Sequence, residues 1–266
     1  MPVEHTSRLC SQCREGLSQT GSGGPCSPVI HILKAADRKR HHLGGVHVCT
    51  TSVPCQDANF PSSILAGITD AILLPGETFV EPTPPPTANT VLTFVLEGVA
   101  EHLTPPPPAR SHLTPGSSLM EPLAARDSAS FGGDRWHNPS PVEVSHLLRF
   151  WIAGCGPARK TKTQAHHSPP LGDAYTPRWL ACPSGGPDHL RSPPGIALWH
   201  ATLHHGQRWR RSHGAGHHAW IKLTSGDVWC CGKLLAAGDA ALAHDEPCLR
   251  LQAKRPAQVF VLDFKM

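Results

Sequence analysis

The sequence predicts an all-β protein built as two closed antiparallel barrels behind a flexible N-terminal extension. Three observations carry this expectation. With 28 prolines and 24 glycines the chain is interrupted often, which suits short strands and turns better than long helices. In its last ninety or so residues nearly every apolar segment is followed by turn chemistry. Its 266 residues suffice for two domains of ordinary size.

Residues 1–27 are rich in Ser, Gly, Thr and Cys and show neither helical nor strand periodicity. They cannot bury enough apolar surface to offset the entropy of ordering, so they read as a flexible extension. Cys10 and Cys13 have metal-knuckle spacing, but a structural zinc needs four ligands, and only Cys26 and His31 stand near enough to complete a set. A first domain is expected over 28–153. It opens with an edge strand in VIHILKAAD, from Val29. A stronger pattern begins at Ile68, where ITDAILLPGETFV gives an apolar segment and a Pro75-Gly76 turn; proline presets one dihedral and glycine accepts positive φ. The run Val91 to His102 is β-branched and aromatic and reads as one buried strand. His112 to Gly116 repeats the strand-then-Pro-Gly arrangement, and VSHLLRFWI, Val144 to Ile152, closes the half.

Residues 154–178 turn polar and basic and read as a linker, followed by a second domain over 179–266. Strands are expected at Ile196–Leu203, Ala219–Leu223, Val228–Cys231, Lys233–Leu235, Ala240–Ala243, Cys248–Ala253 and Val259–Phe264, separated by glycine, proline and Asp turns. Closure into a barrel removes exposed strand edges.

The formal charge of +4 is a small excess of 24 basic over 20 acidic residues, not the clustered footprint of a nucleic-acid binder. The densest basic stretches, Arg38-Lys39-Arg40 with His41 and His42, and Arg208-Trp209-Arg210-Arg211, read as solvated loops, since neither is reinforced elsewhere in the sequence. The longest apolar stretch, Ile64 to Leu74, is too short to span a membrane and contains Asp70. The N-terminus lacks the apolar core of a secretory signal. The ten cysteines therefore read as thiols in a reducing compartment, the cytoplasm by default with the nucleus also open; whether Cys230 and Cys231 react is left undecided.

The chain carries, in order, LLPGETF, TFVLEGVAEHL, His137-Asn138-Pro139-Ser140-Pro141 followed by VSHLLRFWI, and then HATLHHGQ, GHHAWIKLTSGDVWCCGKLLAAGDAALAHDEPCLRL and AQVFVLDF. Together these phrases resemble the pirin family of bicupins, a branch of the cupin superfamily related to quercetin 2,3-dioxygenases. The resemblance is broad from Ile68 to the C-terminus, weaker over 29–60 and absent in 1–27. It implies two jelly-roll-like cupin barrels. It also implies a mononuclear metal, usually iron, held in the first barrel by a His-x-His and a His-x-Glu pair, and oxidative cleavage of flavonols in some members. Imidazole and carboxylate suit a redox-active divalent ion and leave positions open for substrate and dioxygen.

This chain departs at all four ligand positions. Counting back from Leu-Glu-Gly places Pro84 and Pro86 where the His-x-His pair belongs; counting back from Asn138-Pro139 places Asp134 and Trp136 where the His-x-Glu pair belongs. Proline and tryptophan carry no ligating group. A substitute set of Glu81, His102, Asp134 and His137 would need the proline loop to re-aim the chain. Of the 19 histidines, His204, His205, His213, His217, His218 and His244 are candidate ligands for a metal in the second domain, but strand neighbours point to opposite faces, so each adjacent pair offers at most one inward ligand. Three readings follow: a metal-free binding or regulatory protein with no cofactor, whose partner is a small aromatic ligand or a protein; a dioxygenase acting through iron or another divalent metal on rebuilt ligands; and a chain decayed from its family. Nucleic acid and membrane are not expected partners.

Overall fold

The computed structural model describes residues 29–52, 64–80, 85, 87–103, 110–123, 135–153, 163–167, 177–187, 189–212, 216–244 and 246–265. Its strands in chain order begin with β1 (Val29–Leu33), β2 (Lys39–Leu43), β3 (Val46–Ser52), β4 (Leu65–Leu73), β5 (Thr78–Val80), β6 (Ala88–Glu97), β7 (Ala100–Leu103), β8 (Arg110–Leu113), β9 (Ser117–Pro122), β10 (Arg135–His137), β11 (Ser145–Ala153) and β12 (Gln164–His167). They continue with β13 (Arg178–Cys182), β14 (Leu190–Arg191), β15 (Ile196–Leu203), β16 (Arg208–Ser212), β17 (His217–Ser225), β18 (Asp227–Cys230), β19 (Lys233–Ala236), β20 (Ala240–His244), β21 (Cys248–Ala253) and β22 (Ala257–Lys265). Among the described residues no helix is long and apolar enough to cross a membrane.

Each barrel is a seven-stranded sheet closed by a four-stranded one. The first combines β12-β9-β6-β11-β4-β3-β2 with β5-β10-β7-β8; the second combines β1-β20-β17-β22-β15-β13-β14 with β16-β21-β18-β19. Because successive side chains alternate across a strand, the seven-stranded sheets sort their residues cleanly. In β11, Leu147 joins the interior of the first barrel, whereas Leu148, Phe150 and Ile152 face outward into a second cluster. That cluster is shared: from the second barrel it takes Leu198, Trp220, Phe260 and Leu262, while Ile221, Val259 and Val261 fill the interior of their own barrel. The two large sheets therefore pack face to face.

Four expectations need correction. The run Val91 to His102 is two strands, β6 and β7, in different sheets. Gly98 turns the corner at φ 67°, and a Cβ there would overlap the Val144 carbonyl oxygen. The basic stretches at 38–42 and 208–211 are not loops; they lie largely in β2 and β16, each the edge strand of its sheet, a place where charge is tolerated because it discourages edge-to-edge pairing. The 154–178 span contains β12, paired to β9 of the first barrel. Finally, β1 is an edge strand as expected, but it pairs with β20 of the second barrel although it lies in the 28–153 span.

The chain after β1 consequently straps the barrels together. The Lys34 ammonium and the Ala35 backbone N–H donate to the Asp239 carboxylate, both at 2.8 Å, and Arg38 donates to Asp70 of β4 at 3.0 Å. Asp70 lies on the face of β4 that meets the second barrel. It also takes His146 Nε2 at 2.6 Å and Lys222 Nζ of β17 at 3.2 Å. Burial alone would raise the Asp70 carboxyl, but the His146 hydrogen bond, the Lys222 and His146 charges and the Arg38 hydrogen bond together hold it well below the usual carboxylate range. Lys222, fully buried, is pushed down by desolvation and partly restored by Asp70.

Removing one partner of a buried ion pair typically costs about 3–5 kcal/mol. Asp70→Ala is expected to lower the unfolding free energy in urea by about that much, and Lys222→Met in the same chain to restore part of the loss. The folded-state carboxyl ionises below its unfolded value, so its contribution is present above about pH 4 and fades as pH falls. The variant should lack that part of the acid slope.

Candidate functional site

The interior of the first barrel is where the pirin resemblance places a metal, and Trp136 stands in the middle of it. Three strands set its position. In β10 Trp136 is registered opposite Phe79 of β5 and His102 of β7, and all three side chains are buried. The His102 ring stacks on the Trp136 indole with centroids 4.5 Å apart. From β11 the Arg149 guanidinium lies 5.3 Å from the Trp136 ring and 4.8 Å from the Trp151 ring, and Arg149 Nε donates to Thr93 Oγ1 at 3.0 Å. Trp151 Nε1 donates to Thr69 Oγ1 at 3.0 Å. Buried Glu121 places Oε1 3.6 Å from His102 Nδ1, an ion-pair separation when the imidazole is protonated.

Arg149 is 0% exposed, and a guanidinium keeps its charge in proteins. This part of the barrel is thus a filled, polar-aromatic core built on a cation. Trp136 Nε1 has no hydrogen-bond acceptor among the described residues, so what holds the indole is stacking and volume.

The expected site residues divide as follows. Pro84, Pro86, Glu81 and Asp134 lie outside the described residues, as do Cys10, Cys13, Cys26 and His213. Of the remaining substitute ligands, His102 and His137 do not come together. His102 is registered opposite Trp136 and faces inward, whereas His137 is registered opposite Glu101 and Thr78 on the other face of the sheet. There its Nδ1 lies 3.2 Å from Thr78 Oγ1, and Glu101 takes His112 Nε2 at 2.8 Å. The reason is the two-residue period of a strand: a pair at 136 and 137 cannot serve one cavity.

The described residues do not fit a mononuclear metal at this place. An indole offers no lone pair to a metal, and the guanidinium beyond it is already a positive charge in the enclosed space. No group of three or more His, Cys, Asp or Glu side chains among the described residues is close enough to hold an ion. In the second barrel His218 and His244 pack ring to ring at 4.4 Å, and His205 Nδ1 meets the Lys254 carbonyl at 2.7 Å. His200 is kept neutral, its imidazole pushed down to about 3 by burial and then by the Arg178 charge. Near it on β15, the Trp199 ring lies against Trp179 with centroids 3.4 Å apart, and Arg211 lies 4.3 Å from the Trp199 ring while donating to Asp263 at 2.8 Å.

Comparison with known proteins agrees with this fold. Residues 181–264 match the family described as the quercetinase C-terminal cupin domain. The whole fold is similar to the crystal structure of the bacterial pirin YhhW from Escherichia coli in complex with nickel(II), with a TM-score of 0.73 at 20% identity over 89% of this chain and 99% of that one. It is also similar to YhaK from Escherichia coli, with a TM-score of 0.65 at 20% identity over 86% and 94% of the two chains. The quercetin 2,3-dioxygenase from Acinetobacter baumannii has a TM-score of 0.64 at 14% identity over 85% and 83%. No curated protein matches. Two closed jelly-roll barrels packed through their large sheets make this chain a bicupin. Within it, the stretch 181–264 is matched to the quercetinase C-terminal cupin domain, and the two-barrel fold is similar to that of bacterial pirin.

Trp136→Ala would open a cavity against a buried charge and is expected to cost about 3–5 kcal/mol. Trp136→Phe keeps a stacking ring, loses only an unpartnered N–H, and should cost about 1–2 kcal/mol by the same reckoning. Urea denaturation of the two variants checks the difference.

Proposed function

We propose that this chain is a metal-free bicupin that acts by binding, as a regulatory or ligand-carrying protein, and that oxygenation is not its task. The observation that carries the reading is Trp136, buried at a family ligand position between His102 and the Arg149 guanidinium. A dication entering that space would meet a fixed positive charge at short range in a medium that screens it weakly, and three of the four family ligand positions carry proline or tryptophan. The partner is a small aromatic ligand or another protein, not nucleic acid or a membrane surface.

Relatives bear on the alternative. One solved structure of similar fold holds nickel(II) and another is a quercetin 2,3-dioxygenase, so iron-dependent cleavage of a flavonol on rebuilt ligands is the function to test against. Elemental analysis of the purified protein after anaerobic incubation with ferrous iron, followed by desalting, separates the two. The binding reading predicts sub-stoichiometric iron and no quercetin consumption. Near-stoichiometric iron that disappears when Asp134 and His137 are both replaced by alanine would replace it with the dioxygenase.

A further inference from the structure

The outer face of the second barrel's four-stranded sheet carries a cleft of about 450 Å³ lined by Arg208 and Arg210 of β16, Arg250 and Gln252 of β21, Trp229 of β18 and Cys231. Strand pairing assembles it. Arg210 is registered directly opposite Arg250, and Arg208 opposite Gln252. Like charges directly opposed on an exposed sheet face destabilise the pair, and no carboxylate is among the lining residues. Such a face is stabilised by an anion. Trp229, 41% exposed, adds an open indole at the same place.

Cys231 stands at the edge of this field in a particular way. It is the first residue of the two-residue turn joining β18 to β19, with φ 45° at Cys231 and 87° at Gly232. A hairpin with positive φ at both positions ordinarily takes Asn, Asp or Gly first, and cysteine carries a steric cost there. The conformation hands its sulfur to the neighbouring strand. The Arg250 backbone N–H donates to Cys231 Sγ at 3.3 Å, while the Cys231 N–H donates to the Arg250 carbonyl at 2.9 Å. A backbone donor aimed at sulfur favours the thiolate. The thiol is lowered to about 6, chiefly by the neighbouring Cys230 thiol, against burial and the Glu246 charge and with smaller help from the Arg250 backbone N–H and charge. Cys230 itself is buried in the barrel and pushed up, so it stays a thiol.

We propose that this cleft is a covalent modification site, where Cys231 undergoes thiol–disulfide exchange with a disulfide bearing carboxylates that Arg208, Arg210 and Arg250 hold. The Cys231 thiolate attacks one sulfur of the incoming disulfide. A new S–S bond forms to Cys231, the original S–S bond breaks, and its electron pair leaves on the second sulfur as a thiolate. Cys231 is oxidised, the departing half is reduced, and no further oxidant is needed; a second thiol reverses the step. This goes beyond the binding reading and stands or falls apart from the metal content of the first barrel.

The test uses two aromatic disulfides on the full-length protein, dianionic dithiobis(nitrobenzoate) and neutral dithiodipyridine, with the adduct located by peptide mass spectrometry and each rate normalised to mercaptoethanol. Cys231 should react with the dianion about tenfold faster than with the neutral reagent, as expected of a focused positive field. The Arg210→Gln/Arg250→Gln variant should bring that ratio towards one, whatever its effect on the two absolute rates. Molar salt should do the same to the unaltered chain, which keeps the test decisive even if the variant fails to fold. A ratio near one in the unaltered protein, a ratio insensitive to salt, or modification that maps away from Cys231 overturns the proposal.

Discussion

A guanidinium with no exposed surface governs the first barrel. Leaving such a charge without partners inside a protein costs several kcal/mol even after relaxation, so the residues around Arg149 must answer it. Thr93 accepts its Nε–H, and the ring faces of Trp136 and Trp151 lie within about 5 Å of its carbon. A desolvated cation over an indole face gains up to about 2 kcal/mol. His102 packs on Trp136 in turn. The guanidinium already supplies positive charge to this polar interior, and the threonine and indoles that answer it are not metal-ligand types.

That interior is tied to the rest of the molecule by β11. Alternate residues of this one strand supply Leu147, Arg149 and Trp151 to the inside and Leu148, Phe150 and Ile152 to the cluster shared with the second barrel. Shifting its register by one residue would expose the guanidinium to the apolar interface and turn three large hydrophobic side chains inward. The interface has its own charged centre at Asp70, reached from three directions by Arg38, His146 and Lys222. With β1 lying in the far barrel's sheet and Lys34 and Ala35 held by Asp239, the barrels share core, charge network and chain.

Much of this was legible in the sequence because it is local. The strands of the second barrel and the Pro75-Gly76 and Pro115-Gly116 turns follow from alternation and turn chemistry. Less local features were missed. Arg38-Lys39-Arg40 and Arg208 to Arg211 hide strands because an edge strand need not be apolar on its open face. The partner of β1 lies some two hundred residues away, and no local pattern names it. The reinforcement of the second basic stretch was hidden for the same reason: Arg250 stands forty residues beyond Arg210 in the chain and comes opposite it only once β16 and β21 pair. One signal was present but unused. A single cation inside an otherwise apolar strand, Arg149 in HLLRFWI and Lys222 in AWIKLT, marks a buried charge, since a solvated strand would alternate.

The central claim is that the space beside Trp136 is taken by protein. Nuclear magnetic resonance of the protein labelled at its 7 tryptophans, with the Trp136 indole signal assigned from Trp136→Phe, tests it directly under titration with paramagnetic cobalt(II). The account predicts that the Trp136 resonance stays sharp and unmoved past one equivalent of metal. Its selective broadening or shift at one equivalent would put an ion beside it and contradict the account.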